Sequence, residues 1–138
     1  MFRLSTNPNE VCAIELAKLF EESGFGDASY YLDSEDLLKR LFPDGTFSFL
    51  LFDNVDRLIA TARVMSDDFI ASWIADLAVS KDVDQEAALQ QLLAAISERF
   101  SHTSIYGMAF NHQVKEFASS GVIVRPNLTT VAKAAIAA

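Results

Sequence analysis

The residues of this 138-residue chain whose types and spacing bear on chemistry lie in two short stretches. The first is Gln85-Glu86-Ala87-Ala88-Leu89-Gln90. It opens a segment in which Leu89, Leu92, Leu93, Ile96 and Phe100 recur at the i, i+3, i+4, i+7 spacing of one helix face. A helix start carries unpaired N–H groups and a partial positive charge, which suits an anion such as a phosphate. Here Asp82, Asp84 and Glu86 crowd that position with only Lys81 nearby, and each surface charge at such spacing repels a phosphate by about 1 kcal/mol. Asp82, followed three residues later by Gln85, reads as a capping box that sets the chain's own carboxylate on those amides. The second stretch holds Asp76, a lone acid in residues 73–79. Such a carboxylate is either a proton acceptor or a residue at a strand surface or bulge.

Other reactive side chains lack partners at useful spacing. His102 and His112 do not stand at metal-ligand distance in sequence from each other or from Cys12, so no metal site is expected. Cys12 lies four residues before Leu16 and eight before Phe20, on an apolar helical stripe, and reads as core. Tyr106 reads as a half-buried strand residue. Phe47, Phe49 and Phe52 read as packing, since no basic residue interleaves with them as in a nucleic-acid stacking platform.

The elements that must position Asp76 and Gln85 follow from periodicity and turn chemistry. Residues 2–5 read as a short strand. Asn7-Pro8-Asn9-Glu10 reads as a cap and first turn of a helix with Val11, Ile14, Leu16, Leu19 and Phe20 on its apolar face and Gly24 as its left-handed stop. Ser34 caps a shorter helix with Leu37, Leu38, Leu41 and Phe42 buried, stopped by Pro43-Asp44-Gly45. Strand signals at 46–52, 58–65 and 69–79, joined by short polar turns, make antiparallel neighbours. The long helix and a strand at 104–109 then follow, and strand, helix, strand in that order imply a right-handed crossover between parallel partners. Asn111 caps a last helix carrying Val114, Phe117 and Ala118 before Gly121. The expected architecture is one domain over residues 1–138, α/β in the α+β sense, with a mixed and mainly antiparallel central sheet flanked by helices.

Composition narrows the partners. Hydrophobic residues make up 51% of the chain, enough for a packed core, and the net charge of -8 repels nucleic acid and anionic membranes. The charge is uneven: residues 1–80 hold fourteen acids and six bases, against five of each in residues 81–138. An acidic surface of this kind either draws an amine-bearing partner or is simply solvated. One cysteine allows no intrachain disulfide, and no stretch approaches the roughly 18 apolar residues needed to span a bilayer, so a cytoplasmic setting is expected.

In the order and spacing of these elements, residues 46–125 resemble the core of the GNAT acyltransferase superfamily. Leu58-Ile-Ala-Thr-Ala-Arg-Val-Met-Ser-Asp67 looks like the family's third strand and hairpin, Trp73-Ile-Ala-Asp-Leu-Ala-Val79 like its fourth strand, and Ala88-Leu89-Gln90-Gln91-Leu92-Leu93 like the opening of its cofactor helix. The resemblance implies acetyl-CoA as cofactor, with Leu77, Ala78 and Val79 along its pantetheine arm. It places Gln85, Glu86, Ala87, Ala88, Leu89 and Gln90 at its pyrophosphate and Asn111 in the same binding set. It implies Asp76 as the catalytic base and an amine, on a small molecule or a protein, as acceptor. Two departures stand out. Ala88 and Gln90 occupy the positions of the two loop glycines, where side chains hinder close backbone approach, and Phe117 occupies the position of a tyrosine that serves as general acid. Two functions follow as expectations: N-acetyl transfer from acetyl-CoA to an amine, or a catalytically inactive domain of the same fold that binds a protein or small ligand. A homodimer is compatible with either, because edge strands need cover.

Overall fold

The structure, a computed structural model, describes residues 1–107 and Lys115. The chain begins with β1 (Arg3–Ser5), a single 3-10 turn at Pro8–Glu10, and α1 (Ala13–Glu22). Two one-turn helices follow, α2 (Ala28–Leu32) and α3 (Leu37–Leu41). Then come β2 (Thr46–Phe52), β3 (Leu58–Ser66), β4 (Ala71–Val79), α4 (Gln85–Arg99) and β5 (Ser104–Gly107). The strands form one sheet in the order β1-β2-β3-β4-β5, antiparallel except for the parallel β4–β5 pair. This is the mixed, mainly antiparallel sheet that the spacing predicts. The last predicted helix, Asn111 and Phe117 lie outside the described residues, and so do positions 108 and 109 of the expected fifth strand. No helix among the described residues is long and apolar enough to cross a membrane.

The predicted first helix is divided. Asn7 does cap, accepting from the Asn9 N–H at 3.0 Å, but it caps only the 3-10 turn. Val11 and Cys12 are extended, and the α-helix starts afresh at Ala13. That break resets the helical phase. Cys12 is therefore exposed rather than core, and Ile14 is half exposed, while Leu16, Leu19 and Phe20 are buried as expected. Helix α1 ends as the glycine predicts. Gly24 takes φ +86°, its N–H bonds the Glu21 carbonyl, and the Phe25 N–H reaches back to the Phe20 carbonyl at 2.8 Å. These two bonds make a Schellman motif. The second predicted helix starts later than expected: α3 begins after Asp36 in the left-handed region, with no side-chain cap from Ser34, and a further turn that the sequence does not signal, α2, precedes it.

The sheet separates two apolar layers. Helix α4 lays Ala88, Leu89, Leu92, Leu93 and Ile96 on one face, against Phe49, Ala62, Val64, Ile74, Leu77 and Val79. On the other face α1 packs Leu16, Leu19 and Phe20 against Leu50, Leu58 and Ala78, with Tyr31 and Leu41 at the margin. Fully burying a side chain of this size stabilises the fold by about 1.5–3 kcal/mol, so both layers are needed to hold β3 and β4, the strands that carry the candidate chemistry.

Candidate functional site

The alternation of β4 breaks in its middle. Val64 pairs with Ile74 while Arg63 pairs with Asp76, so Ala75 is an extra residue on β4, a β-bulge. The bulge switches which face each side chain occupies. Ile74, Leu77 and Val79 all pack on the α4 side, although a regular strand would set Ile74 opposite to the other two. Asp76 is thereby placed with Ala78 on the α1 side, directly across from Arg63.

Arg63 and Asp76 form an ion pair with little contact with water. Arg63 Nη2 lies 2.6 Å from Asp76 Oδ2 and Nε donates to the same oxygen at 2.8 Å; the side chains are 20% and 9% exposed. Arg63 Nη1 also donates to the Leu41 carbonyl at 3.2 Å, which ties the end of α3 to the bulge. Tyr31 stands close enough to feel the pair. Its hydroxyl donates to the Phe25 carbonyl, and its pKa is raised, first by burial and then by the negative charge of Asp76. Among the described residues Asp76 Oδ1 is buried without a hydrogen-bond partner, as is Thr61 Oγ1 on the neighbouring strand β3.

Among the described residues β5 pairs with β4 from Ala71 to Ile74, whereas β3 follows β4 as far as Val79. Among the described residues the second edge of β4 is therefore unpaired from the bulge onward, along Leu77, Ala78 and Val79. Beyond this edge the chain turns into α4. Three amides of the turn are already engaged: Lys81 N–H by Glu22, Asp82 N–H by Ser80 Oγ at 3.2 Å, and Ala87 N–H by Asp84 Oδ1 at 3.1 Å. The cap is thus Asp84, not Asp82, and Gln85 instead bonds the Ser80 carbonyl through Nε2 at 3.4 Å. Ala88 N–H makes the first intrahelical bond, to the Asp84 carbonyl. The amides of Gln85 and Glu86 remain without a partner among the described residues, the expected state of first-turn donors.

The two loop positions where glycine was expected differ from one another. Ala88 is fully buried in the α4 core layer, so its methyl faces the sheet and not the space outside the helix start. Leu89 is buried with it, whereas Gln90 is exposed. Asn111, the last candidate of the set, lies outside the described residues.

Other candidates sit elsewhere. His102 bonds Asp68 at the β3–β4 hairpin, and Asp68 also takes a two-pronged bond from Arg99. Tyr106 is half exposed on β5 beside Trp73. Among the described residues no group of three His, Cys, Asp or Glu side chains is disposed to hold a metal. Sequence reasoning missed Arg63, Thr61, Tyr31 and Glu22 as parts of the site. Only Arg63 carried a signal, as a lone cation in an apolar strand that pairs with a strand holding a lone acid.

No protein-family model and no curated protein sequence matches the chain. Solved structures do match. A probable acetyltransferase of meticillin-resistant Staphylococcus aureus superposes with a TM-score of 0.77 at 18% identity, covering 98% of this chain and 100% of that one. A GNAT-family acetyltransferase of Streptococcus pneumoniae gives 0.74 at 14% identity, covering 98% of each chain. AAC(6')-Iy, solved with the bisubstrate analogue CoA-S-monomethyl-acetylneamine, gives 0.68 at 13% identity, covering 98% and 99%. At such identities the likeness is one of fold, and the chain has the GNAT acyltransferase fold.

Proposed function

We propose that the chain is an acyl-CoA-dependent N-acyltransferase whose site lies at the β4 bulge. The observation that carries this reading is the coincidence, among the described residues, of three features along β4: an edge without a partner strand from Ala75 to Val79, the buried Asp76 at its start, and the amides of Gln85 and Glu86 without a partner at its end. The pantetheine arm would add to this edge as a strand does, by backbone hydrogen bonds from Leu77 and Val79, with Ala78 between them turned to Thr61 of β3. The first turn of α4 would hold the pyrophosphate through the Gln85 and Glu86 amides, with Ala87, Ala88, Leu89 and Gln90 following them in the helix. AAC(6')-Iy, a protein of the same fold, holds a CoA-based analogue, which supports acetyl-CoA as the cofactor here.

In the reaction the acceptor nitrogen attacks the thioester carbonyl carbon, the C–S bond breaks, and the thiolate takes up a proton as CoA leaves. Asp76 Oδ2 is engaged by Arg63, which leaves Oδ1 as the oxygen available to an acceptor. Its part is to accept a hydrogen bond from the acceptor amine and hold the lone pair toward the carbonyl. The proton is then lost to solvent, so turnover rises with pH until the acceptor amine itself is deprotonated. Thiol release from acetyl-CoA with an amine panel tests the reading: release that depends on amine and falls at least tenfold in Asp76→Asn supports it, and none with any amine sinks it.

A second reading, a ligand-binding domain without turnover, is favoured by Glu22 and Asp84, which occupy two amides of the phosphate turn. It is distinguished by acetyl-CoA binding without thiol release.

A further inference from the structure

The face of the sheet under α1 and α3 holds two oxygens in want of a donor and a cation with hydrogens to spare. Thr61 is fully buried and Asp76 nine-tenths buried, and among the described residues neither Thr61 Oγ1 nor Asp76 Oδ1 has a partner. Thr61 pairs with Ala78 and Asp76 with Arg63, so the two are diagonal neighbours on β3 and β4, about 7–8 Å apart at the backbone. A buried oxygen left without a donor is costly, and two on one face define a site for an N–H or O–H group.

Arg63 supplies the other half. Its guanidinium has five N–H groups. Nε and one Nη2 hydrogen go to Asp76 and one Nη1 hydrogen to Leu41. One hydrogen on each of Nη1 and Nη2 is left, the end-on fork that fits a carboxylate. The Arg63 side chain is one-fifth exposed, so the pair is not sealed from solvent.

We infer that this patch is a subsite for a zwitterion and that the acceptor is an α-amino acid or the free end of a compound bearing amine and carboxylate on adjacent carbons. The ammonium bridges Asp76 Oδ1 and Thr61 Oγ1, and the carboxylate takes the Arg63 fork. Charge decides the class. The Arg63–Asp76 pair is neutral, so a zwitterion enters with every charge matched, whereas a simple amine leaves one cation uncompensated in a nearly dry site. The binding step stands on these residues alone; acylation of the bound amine rests on the acyltransferase reading.

The test uses the full chain and two measurements. Each of the twenty standard L-amino acids is titrated by amide chemical shift, and for any that binds, its carboxamide and its decarboxylated amine are titrated as well; thiol release from acetyl-CoA is followed with the same compounds. The expected result is saturable binding of at least one amino acid, at least tenfold tighter than its carboxamide and amine. Arg63→Lys, which keeps the charge but loses the fork, should remove that preference. Thr61→Val should keep the fold, with a melting temperature no lower than the parent, and weaken binding at least threefold. Binding of amines as tight as amino acids, or of no amino acid at 10 mM (on the order of the weakest useful affinity), overturns the inference. So does a Thr61→Val chain of unchanged affinity, which leaves water as the donor. Amino acid binding without acetyl-CoA binding would instead leave this inference standing and remove the acyltransferase reading.

Discussion

Replacing Arg63 by Met tests whether the bulge is held by charge. The substitution keeps the length of the aliphatic stem but removes both bonds to Asp76 and the bond to the Leu41 carbonyl. Breaking a buried pair by removing one partner costs about 3–5 kcal/mol, because the other charge stays buried. Arg63 is one-fifth exposed, which lets water reach part of the vacated site and moves the value to the lower end. Losing the Leu41 bond adds about 1 kcal/mol. Together these give about 4 kcal/mol, or roughly 10–15 °C in melting temperature for a chain of this length. Removing the acid as well should return part of the loss, since no charge is then stranded. In urea unfolding, the cycle of Arg63→Met, Asp76→Leu and the double variant should show a coupling of about 2 kcal/mol or more. A single Arg63→Met loss under 1 kcal/mol, or effects that simply add, would refute the account of the bulge.

Three further outcomes follow from the geometry. Asp68 has its pKa lowered from 3.8 to about 2, first by the hydrogen bonds from Arg99 and with a smaller effect of His102. A group with a depressed folded pKa contributes stability above its unfolded value that is lost as pH falls, so Asp68→Asn should flatten the fall in melting temperature between about pH 4 and pH 2; an unchanged slope would count against the tie. Asp84→Ala should lower stability by about 1 kcal/mol through the lost cap and yet tighten acetyl-CoA binding in calorimetry, because it frees the Ala87 amide and removes a carboxylate from the phosphate turn. Ala88→Gly should cost about 1–2 kcal/mol through helix propensity and lost methyl burial with no gain in acetyl-CoA affinity, since the methyl faces the core; a tenfold gain would show that it obstructs the cofactor.

Strand order, sheet polarity and α4 were legible because their signals are long. Leu89, Leu92, Leu93 and Ile96 repeat over about two turns, and β2 and β3 are apolar runs closed by polar turns. Short elements were not. Helix α2 spans five residues, too few for a period, and the pause at Val11-Cys12 shifts the helical phase in a way that no composition reveals, which is why Cys12 and Ile14 were misplaced. The bulge is the deeper case. Residues 73–79 read as one continuous strand, and only pairing with β3 shows that Ala75 is extra and that Asp76 therefore meets Arg63 instead of the core. The carboxylate on the fourth strand could be found from sequence, but its partner depends on register, and register is a property of two strands together.

The most direct test of the central claim is titration of the uniformly ¹⁵N-labelled chain with acetyl-CoA. The account predicts saturable binding of one molecule per chain, with the amide shifts concentrated at Leu77, Ala78, Val79, Gln85 and Glu86, and pantetheine, which lacks the phosphates, reproducing those of β4 but not those of α4. Absence of binding, or shifts confined to another face of the sheet, would contradict it.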